Sequence, residues 1–130
     1  MGAHTRDELA AITAKFLEAF NRNDLDGVMA HFAPNGVYEE FNGNLVEGPE
    51  AVRAAFAPQF SGAFGELKFI DEDLMVDAEA GKVMASWRCT LEVKGEPTGW
   101  RGLDAMTFDD DGKITHKLTY AKTRAPLFGS

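Results

Sequence analysis

The sequence has very little of several features that would point to a particular environment. It has a single cysteine, Cys89, so no disulfide can form within the chain. Its position in an apolar run favours a core side chain over a nucleophile, because buried thiols usually behave as small hydrophobic groups. No apolar run approaches the roughly 18 residues of a membrane span. The N-terminal residues form no hydrophobic secretion segment, and Arg6 departs from the myristoylation pattern, so we expect a cytoplasmic protein.

Clustered basic residues and metal-ligand spacings are also missing from the sequence. The chain carries 21 acidic and 13 basic side chains, which give a formal net charge of −8. No group of Lys and Arg alternates with aromatic residues, so nucleic acid is not an expected partner. The histidines His4, His31 and His116 are scattered and match no metal-ligand spacing, so no metal is expected either.

Aromatic and apolar residues, by contrast, are abundant. Ten Phe and two Trp occur in a chain of 130 residues that is 45% hydrophobic. This length fits a single domain, 1–130, and leaves no room for a second one. The aromatic side chains provide enough volume for a core without disulfides.

The first half of the sequence predicts three helices. Thr5 and Glu8 form a capping box, and apolar residues recur behind it at helical spacing as far as Phe20. The expected limits of the later helices are Asp24 and Pro34 for the second, and Pro49 and Pro58 for the third.

After Gly65 the hydrophobic period changes from that of a helix to that of a strand. Strands are predicted at 67–76, 82–93, 98–108 and 113–122, with a shorter one at 36–41. In the last strand, Ile114, His116, Leu118 and Tyr120 are expected to share a face. Short turns between consecutive strands indicate an antiparallel meander. Because the helices precede most strands, the pattern indicates an α+β fold whose helices cover one face of a curved sheet.

Asp104 is a carboxylate on a strand face that is otherwise apolar or empty. Alternation places it on the same side as Trp100, Gly102, Met106 and Phe108. A buried carboxyl must be paired, accept hydrogen bonds or keep its proton. Perturbed acids of this kind are concentrated at active sites. The alternative is an acid at the open end of the sheet that reaches solvent or an arginine.

Two stretches of the chain resemble a known superfamily. The sequence 25–38 with 46–52, and the sequence 101–108 with 111–114, are similar to the nuclear-transport-factor-2-like superfamily, in its SnoaL-like and ketosteroid-isomerase-like branches. The resemblance implies a cone formed by a curved, mostly antiparallel sheet wrapped around three N-terminal helices, with a pocket inside. It also implies cofactor-independent chemistry and a homodimer formed through the outer face of the sheet. The fold hosts isomerases, cyclases and non-catalytic binders alike.

The resemblance assigns roles to individual residues. Glu40 falls where ketosteroid isomerases place an aspartate base, and Asp104 falls where they place a protonated aspartate that donates to an oxyanion. A tyrosine of the first helix, the second oxyanion donor, is replaced by Phe16. Tyr38 shares a strand face with Glu40 and could provide a substitute hydroxyl. The alternative for Glu40 is a solvated residue at the edge of the sheet.

Two functions follow from this pattern. In the first, the protein is an isomerase- or cyclase-like enzyme that acts on a small apolar carbonyl compound, with Glu40 as base and Asp104 and Tyr38 as donors. In the second, it is a non-catalytic module that binds a small molecule or dimerises. The residues expected to line the pocket are Phe16, Phe60, Trp87, Trp100, Met106 and His116. For the aromatic residues and His116, an ordinary place in the core is the alternative.

Overall fold

The computed structural model describes residues 2–62 and 64–122. Its helices are α1 (Arg6–Asn21), α2 (Leu25–Met29) and α3 (Pro49–Phe60). Its strands are β1 (Phe32–Glu39), β2 (Leu45–Glu47), β3 (Lys68–Asp77), β4 (Lys82–Val93), β5 (Glu96–Phe108) and β6 (Ile114–Lys122). The helices pack on one face of a single sheet with strand order β2-β1-β6-β5-β4-β3. All neighbouring strands are antiparallel except β1 and β6, so the predicted α+β cone with a mostly antiparallel sheet is confirmed.

Helix α1 forms as its sequence predicts. The Thr5 hydroxyl accepts a hydrogen bond from the Glu8 amide, and the Glu8 carboxylate accepts one from the Thr5 amide. The buried side of the helix carries Leu9, Phe16 and Phe20, which pack against the sheet. The helix thus provides one wall of the interior. No described helix is both long enough and apolar enough to cross a membrane.

Two prolines do not limit the helices as the sequence predicts. Helix α2 ends at Met29, and Pro34 lies inside β1. The register between β1 and β6 shifts between Phe32 and Val37, and a proline, which has no amide hydrogen to donate, is tolerated at such an irregularity. Pro58 lies in the last turn of α3, which continues to Phe60 although proline has no amide hydrogen for the helix ladder.

The last strand contains a bulge that reverses its expected faces. Thr107 pairs with His116 but Phe108 pairs with Ile114, so β6 has one extra residue there. A single extra residue moves all later side chains to the opposite face. Ile114 is therefore buried together with Lys117 and Thr119, whereas His116 is exposed. The prediction that Ile114, His116, Leu118 and Tyr120 share a face is wrong.

The interior contains two apolar clusters. The larger one joins the helices to the sheet, and Phe56, Leu9 and Ile114 are among its fully buried members. The smaller one contains Trp87 and Cys89, and the burial of this thiol confirms its expected place in the core. The outer face of the sheet leaves apolar side chains exposed. The homodimer through that face stays a prediction.

Candidate functional site

A cavity of about 310 Å³ lies between the helices and the inner face of the sheet. Its wall is mostly apolar, with aromatic side chains from α1, α3 and four strands. A few polar side chains also reach it, among them Tyr38, Glu40, Asp104, Lys117 and Thr119. An apolar pocket with a small number of convergent polar groups is the usual form of a small-molecule site.

Cross-strand pairing places Asp104 at the centre of the inner face. In the register of the sheet it lies between Ala85 of β4 and Thr119 of β6. Gly102, on the same face, leaves room for the Trp87 indole, because a Cβ at position 102 would come within 2.6 Å of that ring. The indole nitrogen of Trp87 then donates to Oδ2 of Asp104 at 3.2 Å. Asp104 is only 9% exposed.

The other oxygen of Asp104 belongs to a closed triangle of hydrogen bonds. Lys117 Nζ donates to Asp104 Oδ1 at 3.0 Å and to Thr119 Oγ1 at 2.7 Å. Thr119 Oγ1 donates in turn to the same Asp104 oxygen at 2.7 Å. Lys117 is 4% exposed, so the triangle contains a buried ion pair. We call Trp87, Asp104, Lys117 and Thr119 the Asp104 network.

The contacts of Asp104 are those of an ionised carboxylate. An indole N–H and an ammonium can only donate, and the Thr119 hydroxyl, which already accepts from Lys117, has its hydrogen left for Asp104. The carboxyl group therefore accepts three hydrogen bonds, one of them from a cation. The expectation that Asp104 keeps its proton and donates to an oxyanion does not fit this arrangement. Of the possibilities given above for a buried carboxyl, pairing with a cation and accepting hydrogen bonds are the ones that match these contacts.

Tyr38 stands beside the Asp104 network on the neighbouring strand. It pairs with Lys117 in the parallel register of β1 and β6, and its ring stacks on Phe56 with centroids 4.4 Å apart. Burial raises the pKa of the Tyr38 hydroxyl, Lys117 opposes this shift, and the charges of Asp104 and Glu40 add to it. A tyrosine keeps its proton at neutral pH even at its ordinary pKa of about 10, so the hydroxyl can act as a hydrogen-bond donor.

Glu40 lies just after the end of β1, in the turn that leads to β2. Its Oε2 accepts a hydrogen bond from the Asn44 side-chain amide at 2.7 Å. The residue is half-buried and lines the cavity, and the hydrogen bond of its carboxylate to Asn44 is exposed to solvent. Phe41, the next residue in the chain, and Trp100 also line the cavity, and their ring centroids are 6.2 Å apart.

The structure brings most of the predicted site residues to one cavity. Besides the polar groups, the wall includes Phe16, Trp87, Trp100 and Met106. It does not include the other two, Phe60 and His116. The ring of Phe60 packs against that of Phe20, with centroids 5.6 Å apart. His116 is exposed because of the bulge in β6. Among residues 2–62 and 64–122, no three potential ligands come together as a metal site.

Lys117 and Thr119 are site residues that the sequence did not reveal. Without the bulge, alternation assigns both to the polar face of β6, opposite Ile114. One argument from the sequence could have pointed to Lys117: a buried carboxylate such as Asp104 is normally paired with a cation or a hydrogen-bond donor. In an antiparallel pair the diagonal neighbour is within reach of a long side chain. Lys117 is that neighbour of Asp104 once Thr119 is directly opposite.

The helices and the curved sheet, with a cavity between them, define an NTF2-like cone. The model of the SnoaL-like domain family matches residues 13–117, and the chain belongs to this family.

Two curated relatives and one solved structure extend the comparison. The chain is 33% identical to a steroid delta-isomerase of Nocardioides simplex over 109 residues, 83% of this chain and 85% of that protein. It is 34% identical to the austinoid biosynthesis cluster protein F of Aspergillus calidoustus over 95 residues, 68% of this chain but only 53% of that protein. A Mycobacterium tuberculosis protein in complex with estradiol-17β-hemisuccinate has the same fold, with a TM-score of 0.74 at 20% identity, over 86% of this chain and 92% of that one. The homologues thus include an isomerase and a biosynthetic protein.

Proposed function

We propose that the protein is a cofactor-independent enzyme that moves a proton within a small apolar carbonyl compound. The observation that carries this proposal is that an acid, Glu40, and a protonated hydroxyl, Tyr38, line the same largely apolar cavity. The similarity to a steroid delta-isomerase supports a rigid, steroid-like ketone as the substrate class. An apolar wall favours such a ligand because burying apolar surface is the main source of its binding energy.

The two groups divide the chemistry between them. The Glu40 carboxylate takes a proton from the carbon next to the carbonyl, and the Tyr38 hydroxyl donates a hydrogen bond to the carbonyl oxygen as the enolate forms. The C–H electron pair becomes the enolate double bond, and Glu40 returns the proton to a more distant carbon, which shifts the double bond into conjugation. The partial exposure of Glu40 suits a base, since the charged form is not penalised by full burial.

Asp104 has an indirect part in this scheme. It accepts three hydrogen bonds, which fix Trp87, Lys117 and Thr119. In none of these contacts does Asp104 act as the donor, so it is not assigned as a donor to the substrate. Phe16, which lines the cavity, provides no donor from α1. One oxyanion donor is typically worth on the order of 10²–10³ in rate, so turnover depends strongly on Tyr38.

A steroid ketone with an unconjugated β,γ double bond tests the proposal. Conversion is followed by the ultraviolet absorbance of the conjugated product and by exchange of the α-proton in deuterated water. We expect Glu40→Gln to lower kcat by about 10²–10⁴, because the base is lost. The matched control is Glu39→Gln, since Glu39 is the neighbouring acid and does not line the cavity. Equal activity of Glu40→Gln and the unmodified protein would contradict the role of Glu40.

The second candidate is a non-catalytic module that binds the same class of compound. Two observations favour it: the replacement of the helix donor by Phe16, and the absence of any unsatisfied buried side-chain polar atom in the described residues. Trp87 and Trp100 are the two tryptophans of the chain and both line the cavity, so their fluorescence reports binding directly. Saturable quenching by the steroid without conversion or α-proton exchange identifies this function.

A further inference from the structure

Lys117 is a charged residue of the cavity wall that neither proposed role uses. Among the described residues that line the cavity, it is the one with a cationic side chain. It is also one of the most deeply buried polar side chains of the described chain, at 4% exposure. A buried lysine costs free energy unless it is paired, so its position inside an apolar wall requires a physical reason.

Two of the three N–H groups of Lys117 are occupied by fixed partners. One donates to Asp104 Oδ1 and one to Thr119 Oγ1. In the described part of the chain the third has no oxygen or nitrogen acceptor. The ammonium instead lies 4.6 Å from the centroid of the Tyr38 ring and 5.4 Å from that of Phe56. An aromatic face attracts a cation but is a weaker acceptor than an oxygen that carries charge.

The surroundings hold this ammonium in one place. Trp87 fixes one oxygen of Asp104, and Thr119 fixes the other, so the carboxylate cannot rotate freely. Asp104 in turn fixes Lys117. A charged donor held in this way needs no reorganisation when negative charge develops on a ligand, which is the condition for strong electrostatic stabilisation.

Lys117 is also correctly placed to act together with Tyr38. The two residues are paired on adjacent strands β1 and β6 and both line the cavity. Lys117 Nζ lies 4.6 Å from the centroid of the Tyr38 ring, so a ligand oxygen bound at this part of the wall has both a hydroxyl and an ammonium in its neighbourhood. Charge-assisted hydrogen bonds strengthen as the acceptor becomes anionic, so the pair favours an enolate over its ketone.

We propose that Lys117 binds the ligand oxygen through its third N–H group, and that Asp104 is the residue that positions it. The substrate class follows from this charge: an apolar compound with an acidic oxygen function, either a readily enolised ketone or a phenol. The catalytic role of Lys117 rests on the proposed function. Its binding of an anionic oxygen does not, and this binding can be measured without turnover.

The test uses 2-naphthol and its more acidic 6-cyano derivative as probes, because the ionised and neutral forms of naphthols differ in absorbance and fluorescence. We expect the bound 6-cyano derivative to be largely ionised at neutral pH, its O–H proton having passed to the buffer. In Lys117→Met the bound probe stays neutral and its affinity falls about 10- to 100-fold, the range expected for a charged hydrogen bond. Lys122→Met, on the same strand but exposed and outside this cavity, is the matched control.

A second variant guards against misfolding. Lys117→Met leaves Asp104 buried without its cation, so the double variant Asp104→Asn with Lys117→Met is measured beside it, with circular dichroism as the check on folding. An equal ionised fraction in the unmodified protein and in a folded variant without Lys117 would overturn the proposal. So would the absence of saturable naphthol binding. Failure of the steroid assay together with a Lys117-dependent naphtholate signal contradicts the proposed reaction alone.

Discussion

Two charged regions of the cavity, the Asp104 network and Glu40, are built in opposite ways. In the Asp104 network every partner of Asp104 comes from a neighbouring strand, β4 or β6, and is 13 to 17 residues away along the chain. Glu40, by contrast, is held by Asn44, four residues further on in the same turn. The first arrangement exists only when the sheet has formed with the correct register. The second is local and in contact with solvent, so the two regions depend on the fold to very different degrees.

This difference has a clear energetic consequence. Partners of a buried ion pair have lost their water, so each depends on the other for compensation. A half-buried carboxylate such as Glu40 keeps part of its hydration and gains little from one further hydrogen bond. We therefore expect substitutions in the Asp104 network to change stability strongly and substitutions of Glu40 to change it very little.

The largest effect is expected when one partner of the buried pair is removed. Lys117→Met should lower the free energy of unfolding by about 3–5 kcal/mol, because Asp104 is left as an uncompensated buried charge. Urea denaturation measures this value directly. The double variant Asp104→Asn with Lys117→Met should recover a substantial part of the loss. A double variant less stable than Lys117→Met alone would show that the charge pair is not the dominant interaction there.

A smaller loss is expected when the bridging hydroxyl is removed. Thr119→Val keeps the side-chain shape but leaves one N–H of Lys117 and one acceptor site of Asp104 without a partner. We expect a loss of about 1–3 kcal/mol, the usual cost of an unsatisfied buried group. Thr90→Val, on an exposed position of β4, is the control and should change stability by less than about 0.5 kcal/mol. Similar values for the two variants would mean that Thr119 has no special part in the triangle.

The contrast between the two regions also explains how far the sequence could be interpreted. Strand alternation correctly placed Asp104 on the inner face, and the spacing of apolar residues correctly predicted α1, because both patterns are local and periodic. Lys117 was missed because one extra residue in β6 reverses the faces beyond it. A bulge is fixed by pairing with β5 and β1, which no periodicity within β6 records.

The contacts of Asp104 are a second feature that the sequence alone could not predict. The sequence indicates a buried acid, and the resemblance to ketosteroid isomerases favours a neutral one. The three donors that contact Asp104, from Lys117, Thr119 and Trp87, converge on it only in the folded sheet. Glu40 was easier to interpret, since its position at the end of a strand before an Asn-Gly turn is visible in the sequence itself.

The smallest effect on stability is expected at Glu40, and it completes the contrast. Glu40→Gln keeps the size of the side chain and an oxygen that can still accept from Asn44, so the free energy of unfolding should change by less than about 0.5 kcal/mol. The same substitution is expected to remove most of the proton-transfer activity. A residue that matters for rate and not for stability is recognised by this combination, since a structural acid would change both or neither. If Glu40→Gln instead destabilised the protein as much as Thr119→Val, the carboxylate would belong to the framework of the cavity, and the base would have to be sought elsewhere along its wall.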